Sequence, residues 1–221
     1  MQVLPHLDRD ILVLESYRRV FDRAWRLYLK SSGLGIVLTG QPGIGKSVWL
    51  WYALTRLLRK HQVILFSYGH AIYLFHFDGV YSFQGNVFGT RHLPQPPPGT
   101  FIWGLIDSDK VVEEPSPELT SPPIFPIHAA SLDRKRYKEW RKQREALTWG
   151  LRLWEREELV AGLELQEEYA DLYETVVSIL RGEGILRNLS PLVMTIEAST
   201  VAPNMLSKRW ERKNPRNSHA K

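Results

Sequence analysis

The chain has 221 residues, with 29 Lys+Arg against 24 Asp+Glu for a formal net charge of +5, 43% hydrophobic residues and eight tryptophans. That content suffices for one sizeable packed α/β domain with a small helical appendage and argues against global disorder, while the modest charge permits an acidic partner without demanding one. The absence of cysteine excludes disulfides, thiolate zinc sites and thiol nucleophiles; with no run of about 18 apolar residues and no signal-peptide pattern, the expected setting is intracellular and reducing, cytoplasm and nucleus undistinguished, with no membrane partner.

Residues 11–30 set Leu14, Tyr17, Val20, Phe21, Ala24, Trp25 and Tyr28 at helical spacing, with Arg18, Arg19, Asp22, Arg23 and Arg26 largely between them. The pattern predicts an amphipathic helix. A turn from Lys30 to Gly35 then delivers the chain into a short apolar strand, Gly35-Ile36-Val37-Leu38-Thr39.

Directly after that strand, Gly40-Gln41-Pro42-Gly43-Ile44-Gly45-Lys46-Ser47 fits the phosphate-binding pattern G-x-x-x-x-G-K-[ST], and Val48 to Lys60 reads as the helix that follows it. Glycines at both ends and at Gly43 let the backbone fold into an anion nest with inward N–H groups. Lys46 is spaced to reach the β/γ-phosphates as a point charge, and the Ser47 hydroxyl to hold Mg²⁺ at a positive helix N-terminus. The competing reading is a chance glycine-rich turn. It must account for every fixed position of the motif and for a strand and helix in register, so the chain is expected to bind a nucleoside triphosphate through Gly40 to Val48. No Asn-Lys-x-Asp guanine-reading motif occurs, which lowers GTP without establishing ATP.

Val63-Ile64-Leu65-Phe66 has the continuous apolar character of a strand buried on both faces. Ala71 to Phe77 and Val80 to Phe83 flank Asp78-Gly79, which predicts a hairpin with a two-residue turn. Residues 84–100 are proline- and glycine-rich and read as a loop. Phe101-Ile102-Trp103-Gly104-Leu105-Ile106-Asp107 is an apolar strand ending in an acid. That is the form of the second nucleotide-binding motif, whose carboxylate holds the hydrated Mg²⁺ beside the phosphate loop. A strand followed by an Asp-Ser turn is the alternative.

Residues 111–123 form an acidic, proline-rich loop, and Ile124 to Ala130 a further strand, in which Pro126 suggests a sheet edge or a bulge. Ser131 at its end has two readings: a γ-phosphate sensor, or the N-cap of the next helix. Residues 132–148 are expected to be a basic helix with Arg134, Lys135, Arg136, Lys138, Arg141, Lys142 and Arg144. Such a run is usually a solvated face; Arg134 or Arg136 approaching the nucleotide phosphates is a second reading, and contact of residues 134–144 with a protein or a nucleic-acid backbone a third. Trp154 to Leu180 reads as helix with a glutamate-rich polar side, broken at Gly182-Glu183-Gly184, and Ser207 to Lys221 as a frayed charged tail rather than a nuclear-import or phosphate-seeking arm.

Tyr17-x-x-x-Phe21, the phosphate loop, Ile106-Asp107-Ser108, Ala130-Ser131-x-x-x-x-Arg136-Tyr137-Lys138-Glu139-Trp140-x-Lys142-Gln143 and Trp154-x-x-Glu157-Glu158-Leu159 together resemble the NTPase module of Crinkler and retrotransposon-hot-spot-type proteins. The resemblance spans residues 12–181. It implies a P-loop NTPase of the additional-strand class, α/β with a mostly parallel sheet flanked by helices, a strand between the phosphate-loop strand and the acidic strand, an inserted hairpin and a C-terminal helical part. The division it implies is an N-terminal helix over 1–34, the NTPase domain over 35–181, and a divergent or truncated segment with a basic tail over 182–221. Larger relatives carry an effector domain for which that last segment is too short. The chain also departs from the family at the residue after Asp107, which is Ser108 rather than glutamate. Asp109 is then the nearest candidate base.

These readings converge on an ATP–Mg²⁺ binding module with slow hydrolysis, in which Lys46, Asp107 and Asp109 are the catalytic candidates, Ser47 and Asp107 the metal ligands, and Ser131 and Arg136 the further nucleotide contacts. A non-hydrolysing, nucleotide-dependent interaction module is the alternative, and a small-molecule phosphoryl transferase a third class. Oligomeric state is not written in the sequence.

Overall fold

The computed structural model describes residues 2–6, 9–30, 34–69, 71–84, 89, 91, 93–107 and 114–164. Strands β1 (Gln2–His6) and β2 (Arg9–Val13) pair antiparallel as a small separate hairpin, and helix α1 (Glu15–Leu29) follows. The helix therefore starts later than its apolar spacing suggests. Residues 11–13 are strand, with Ile11 and Val13 buried, because short apolar runs satisfy strand and helix periods alike. Glu15 suits the positive first turn and pairs with Arg18 and Arg19 at 3.5 and 3.2 Å. The opposite face buries Tyr17, Phe21 and Ala24, one residue per turn.

Strand β3 (Ile36–Thr39) is wholly buried and leads through the glycine loop into helix α2 (Lys46–Leu58). At the end of α2, His61 adopts φ +53° and the Gln62 N–H bonds the Leu57 carbonyl at 3.1 Å, a Schellman termination without glycine. Strands β4 (Ile64–Tyr68), β5 (Ala71–His76) and β6 (Gly79–Gln84) then form an antiparallel run. The hairpin is present as expected, but His76 pairs with Gly79, so its turn is Phe77-Asp78. Asp78 accepts from the Tyr81 hydroxyl at 3.0 Å and contacts His76, which holds its carboxylate back over the strands.

Strand β7 (Ile102–Asp107), helix α3 (Pro117–Thr120) and strand β8 (Ile124–Ala129) come next. The expected basic helix is not one helix. It is a 3₁₀ turn at Arg134–Arg136, helix α4 (Lys138–Gln143) and a parallel strand β9 (Leu147–Gly150). Glu145 at φ +50° and the 2.9 Å bond from the Ala146 N–H to the Arg141 carbonyl end α4, a stop that a run of charges does not announce. Helix α5 (Arg156–Glu164) closes the described chain; the remainder of the expected helix to Leu180, and the segment 182–221, lie outside the described residues.

The seven-stranded sheet has the order β6-β5-β4-β7-β8-β3-β9. Its five strands from β4 to β9 are mutually parallel, and β5 and β6 extend it antiparallel. The fold is thus α/β with a mostly parallel sheet flanked by helices, and β8 lies between β3 and β7. Pro126 sits in this central strand, not at an edge. The β3–β8 pairing begins at Ile127, and the Ala130 N–H faces β3 by its 2.9 Å bond to Leu38 O. By the two-residue alternation Pro126 nitrogen faces the same side, ahead of the first pair, where no ladder donor is needed.

Both faces of the sheet are covered, which is why its strands read as continuous apolar runs. Ile36, Leu38, Trp103, Leu105, Phe125 and Ile127 pack with Tyr17, Phe21, Trp49 and Tyr52 of α1 and α2. On the other face Ile102, Ile106 and Ile124 meet Leu119 of α3, and Val37 and Ala130 meet Tyr137 and Trp140 around α4. An aromatic stack joins α1 to β7, with Trp25 and Trp103 centroids 5.8 Å apart and their planes 3° apart. Among the described residues no helix is long and apolar enough to cross a membrane.

Candidate functional site

Register places the candidate site. Leu38 and Asp107 both pair with Ala129, so β3, β7 and β8 end level with one another, the edge at which parallel α/β sheets expose loop ends and helix N-termini to ligands. Gly40 leaves β3 at φ +153°, and Gly43 and Gly45 adopt +74° and +90°. A side chain is resisted at those last two angles. Ile44 between them is buried in the main core and anchors the loop from beneath, while Gln41, Pro42 and Gly43 are exposed.

Gly45 precedes α2 without any side-chain cap, and the first turn holds no acid. The helix N-terminus therefore faces the loop with its donors and partial positive charge uncompensated by a carboxylate. Val48, in that first turn, packs its side chain against the core, so only its backbone is in a position to serve the loop.

Lys46 Nζ donates to the carbonyls of Gly40 and Gln41 at 3.1 and 3.0 Å. It lies across the mouth of the loop. Burial holds the Lys46 ammonium below the ordinary lysine range, with the Asp107 carboxylate acting in the opposite sense. The Ser47 hydroxyl donates to Asp107 Oδ1 at 3.2 Å, across 60 residues of sequence. Three of the expected residues, Lys46, Ser47 and Asp107, are thus brought together.

Ser131 is adjacent by its backbone: the Thr39 hydroxyl donates to Ser131 O at 3.1 Å, tying the end of β3 to the end of β8. Its own hydroxyl accepts the Asp133 N–H at 3.3 Å in a local turn, and the N-cap of the following 3₁₀ turn is not Ser131 but Asp133, whose carboxylate accepts the Lys135 N–H at 3.0 Å. Arg136 ends the 3₁₀ turn half-buried, and its charge bears on the buried His128. Of the basic run, Arg134, Lys135, Lys138, Arg141 and Lys142 are exposed, but Arg141 donates to Thr148 and Arg144 to Ile124 O, at 3.0 and 3.1 Å. Part of the run therefore braces β9 and β8. Asp109 lies outside the described residues, as does Ser108.

Among the described residues, two side chains from outside the motif hydrogen-bond the loop's backbone. The Tyr17 hydroxyl donates to Gly45 O at 3.0 Å and the Trp154 indole to Ile44 O at 3.1 Å. Tyr17 belongs to the apolar stripe of α1 and Trp154 opens the glutamate-rich stretch, and nothing local says that an indole reaches 110 residues back. Behind Trp154, Arg152 bonds Glu155 and Glu158 at 2.6 and 2.7 Å, and Glu158 accepts the Glu155 N–H at 2.9 Å, half of a capping box that starts α5. Among the described residues no group of three or more His, Asp or Glu gathers as a metal site by itself.

No protein-family model matches the chain, and neither the curated proteins nor the solved structures contain a match to it.

Proposed function

We propose that the chain binds a magnesium nucleoside triphosphate such as ATP at the loop Gly40 to Ser47 and hydrolyses it slowly, as a regulatory or effector-associated NTPase module. The observation that carries the reading is the 3.2 Å bond between Ser47 and Asp107, beside a glycine loop opening a thirteen-residue helix. The strand order supports it too, because β8 lies between β3 and β7 as the additional-strand class of P-loop NTPases requires. The likeness to the Crinkler and retrotransposon-hot-spot module is part of this proposal.

Ser47 and Asp107 offer a hydroxyl and a carboxylate oxygen, the hard donors that Mg²⁺ takes alongside phosphate oxygens and water. Held there, Mg²⁺ would supply positive charge to offset the negative charge of the polyphosphate. The loop N–H groups and the start of α2 bind the β-phosphate. Lys46, already desolvated at the mouth, exchanges its bonds to the carbonyls of Gly40 and Gln41 for phosphate oxygens, a charge-assisted and therefore stronger pairing.

Ser108 after Asp107 favours a second reading, in which the nucleotide is held without turnover and orders a surface for a partner. Multiple-turnover phosphate release separates the two. Release that depends on Mg²⁺ and disappears in Asp107→Asn supports hydrolysis; tight binding with no release supports the module without turnover; no nucleotide binding at all ends both.

A further inference from the structure

Peptide geometry links the outer side of the loop to its inner side. The carbonyl of one residue and the N–H of the next point in opposite directions across a planar trans peptide. The bond from Trp154 draws the Ile44 carbonyl outward at 3.1 Å, which turns the Gly45 N–H the other way. The Gly45 carbonyl accepts two donors on its outer side, the Trp49 N–H that starts the α2 ladder at 2.8 Å and the Tyr17 hydroxyl at 3.0 Å, which together turn the Lys46 N–H the other way. Two aromatic donors, one before the loop in sequence and one far after it, thus bond consecutive peptides of the loop from behind, Tyr17 alongside the first rung of α2.

Each donor is itself fixed. Tyr17 is 1% exposed, and its own carbonyl accepts the Trp49 indole N–H from α2 at 3.1 Å. Its hydroxyl fills the place of a side chain at Gly45, where an added Cβ would lie 2.0 Å from the oxygen. Trp154 is backed by α5, where a Cβ on Gly162 would come within 2.9 Å of the indole ring. Tyr17 stands on α1, and Trp154 stands in the connection between β9 and α5 with its ring packed on α5. A donor on a rigid mount orients a peptide at lower entropic cost than one on a mobile side chain.

We propose that Tyr17 and Trp154 are positioning residues for polyphosphate: they preset the Gly45 and Lys46 amides to face the anion before it arrives. The inference rests on the nucleotide reading and deepens it. It also makes α5 part of the phosphate site, since Trp154 reaches the loop only while α5 is docked behind it. Neither side chain touches the ligand.

The test uses the full chain and Mg-ATP, with affinity measured well below every unfolding midpoint and the Gly45 and Lys46 amide resonances followed by NMR. The variants are Tyr17→Phe, Trp154→Phe, and replacement of Trp154 by 3-benzothienylalanine, which keeps the ring shape and removes the N–H. Tyr28→Phe is the control, because it deletes an equivalent 3.0 Å bond, from Tyr28 to Phe101 O, away from the loop. Loss of one net hydrogen bond predicts affinity weaker by about two- to tenfold for each loop variant, with smaller ligand-induced displacement of the Gly45 and Lys46 amides and no change for Tyr28→Phe. Wild-type affinity and amide shifts in the loop variants would overturn the positioning role and leave nucleotide binding standing. An equal loss in Tyr28→Phe would overturn it as a mere stability effect. Failure of the wild-type chain to bind Mg-ATP overturns both.

Discussion

Replacing Gly45 with alanine sets the loop's backbone against the side chain behind it. Gly45 has φ +90°, and an added Cβ would lie 2.0 Å from the Tyr17 hydroxyl oxygen and 3.3 Å from the ring carbon that bears it. The left-handed backbone costs alanine about 1–2 kcal/mol. The Tyr17 ring, 1% exposed, must then move and give up its bond to Gly45 O, worth about 1 kcal/mol, with repacking of a full core adding about 1 kcal/mol more. Gly45→Ala is therefore expected to destabilise by about 3–4 kcal/mol in equilibrium denaturant unfolding, with an unchanged m-value. Gly69→Ala isolates the backbone term, since Gly69 has φ +57° and nothing within 4 Å; its cost is about 1–2 kcal/mol. In a Tyr17→Phe background the obstructing oxygen is gone, so Gly45→Ala should cost at least about 1 kcal/mol less than in the wild type, read as a double-mutant coupling. Equal losses for Gly45→Ala and Gly69→Ala, with no coupling to Tyr17, would refute the geometry of the loop.

Three further outcomes follow from the packing. His128 is fully buried, its Nδ1 accepts the Trp140 indole N–H at 3.1 Å, and burial followed by Arg136 lowers its pKa from 6.5 to about 3. Between those values the unfolded chain binds a proton that the native chain refuses, so stability is full above the higher value and falls with acidification below it, by at most about 1.4 kcal/mol per pH unit. His128→Asn, which keeps an acceptor and cannot titrate, should flatten that part of the stability–pH curve; an unchanged acid slope would contradict the assignment. Gly35→Ala meets Pro126 and Trp140 atoms at 2.8 Å each and should lower the unfolding midpoint by an amount corresponding to about 2–3 kcal/mol, visible by calorimetry. Phe77→Ser, at a hairpin turn where the ring is 91% exposed, should change stability by less than about 0.5 kcal/mol in the same assay.

How much of this was legible depends on how local the physics is. The glycine loop reads from the sequence because the backbone angles at Gly43 and Gly45, the lysine reach and the helix start all lie within eight adjacent positions. Asp107 reads as its partner only in that company, because short apolar strands ending in Asp are common and it is the glycine loop upstream, with a strand between, that singles this one out. β9 did not read as a strand. Only Trp149 of its four residues is buried, so it carries no apolar run, and the arginines and lysines before it extend the helical pattern. Pro126 misled in the other direction, since its missing donor matters only if a neighbour strand is present at that level. Tyr17 and Trp154 were visible as apolar positions but not as donors to the loop. Their partners are backbone carbonyls 28 and 110 residues away, and a carbonyl has no sequence signature.

The central claim is that the glycine loop, Lys46 and the Ser47–Asp107 pair form a site for a magnesium-bound polyphosphate. Isothermal titration of Mg-ATP into the folded chain, run in parallel with Lys46→Ala, tests it most directly. Saturable one-to-one binding that is lost or strongly weakened in Lys46→Ala is the predicted result; no heat from the wild type, or undiminished affinity in the variant, contradicts it.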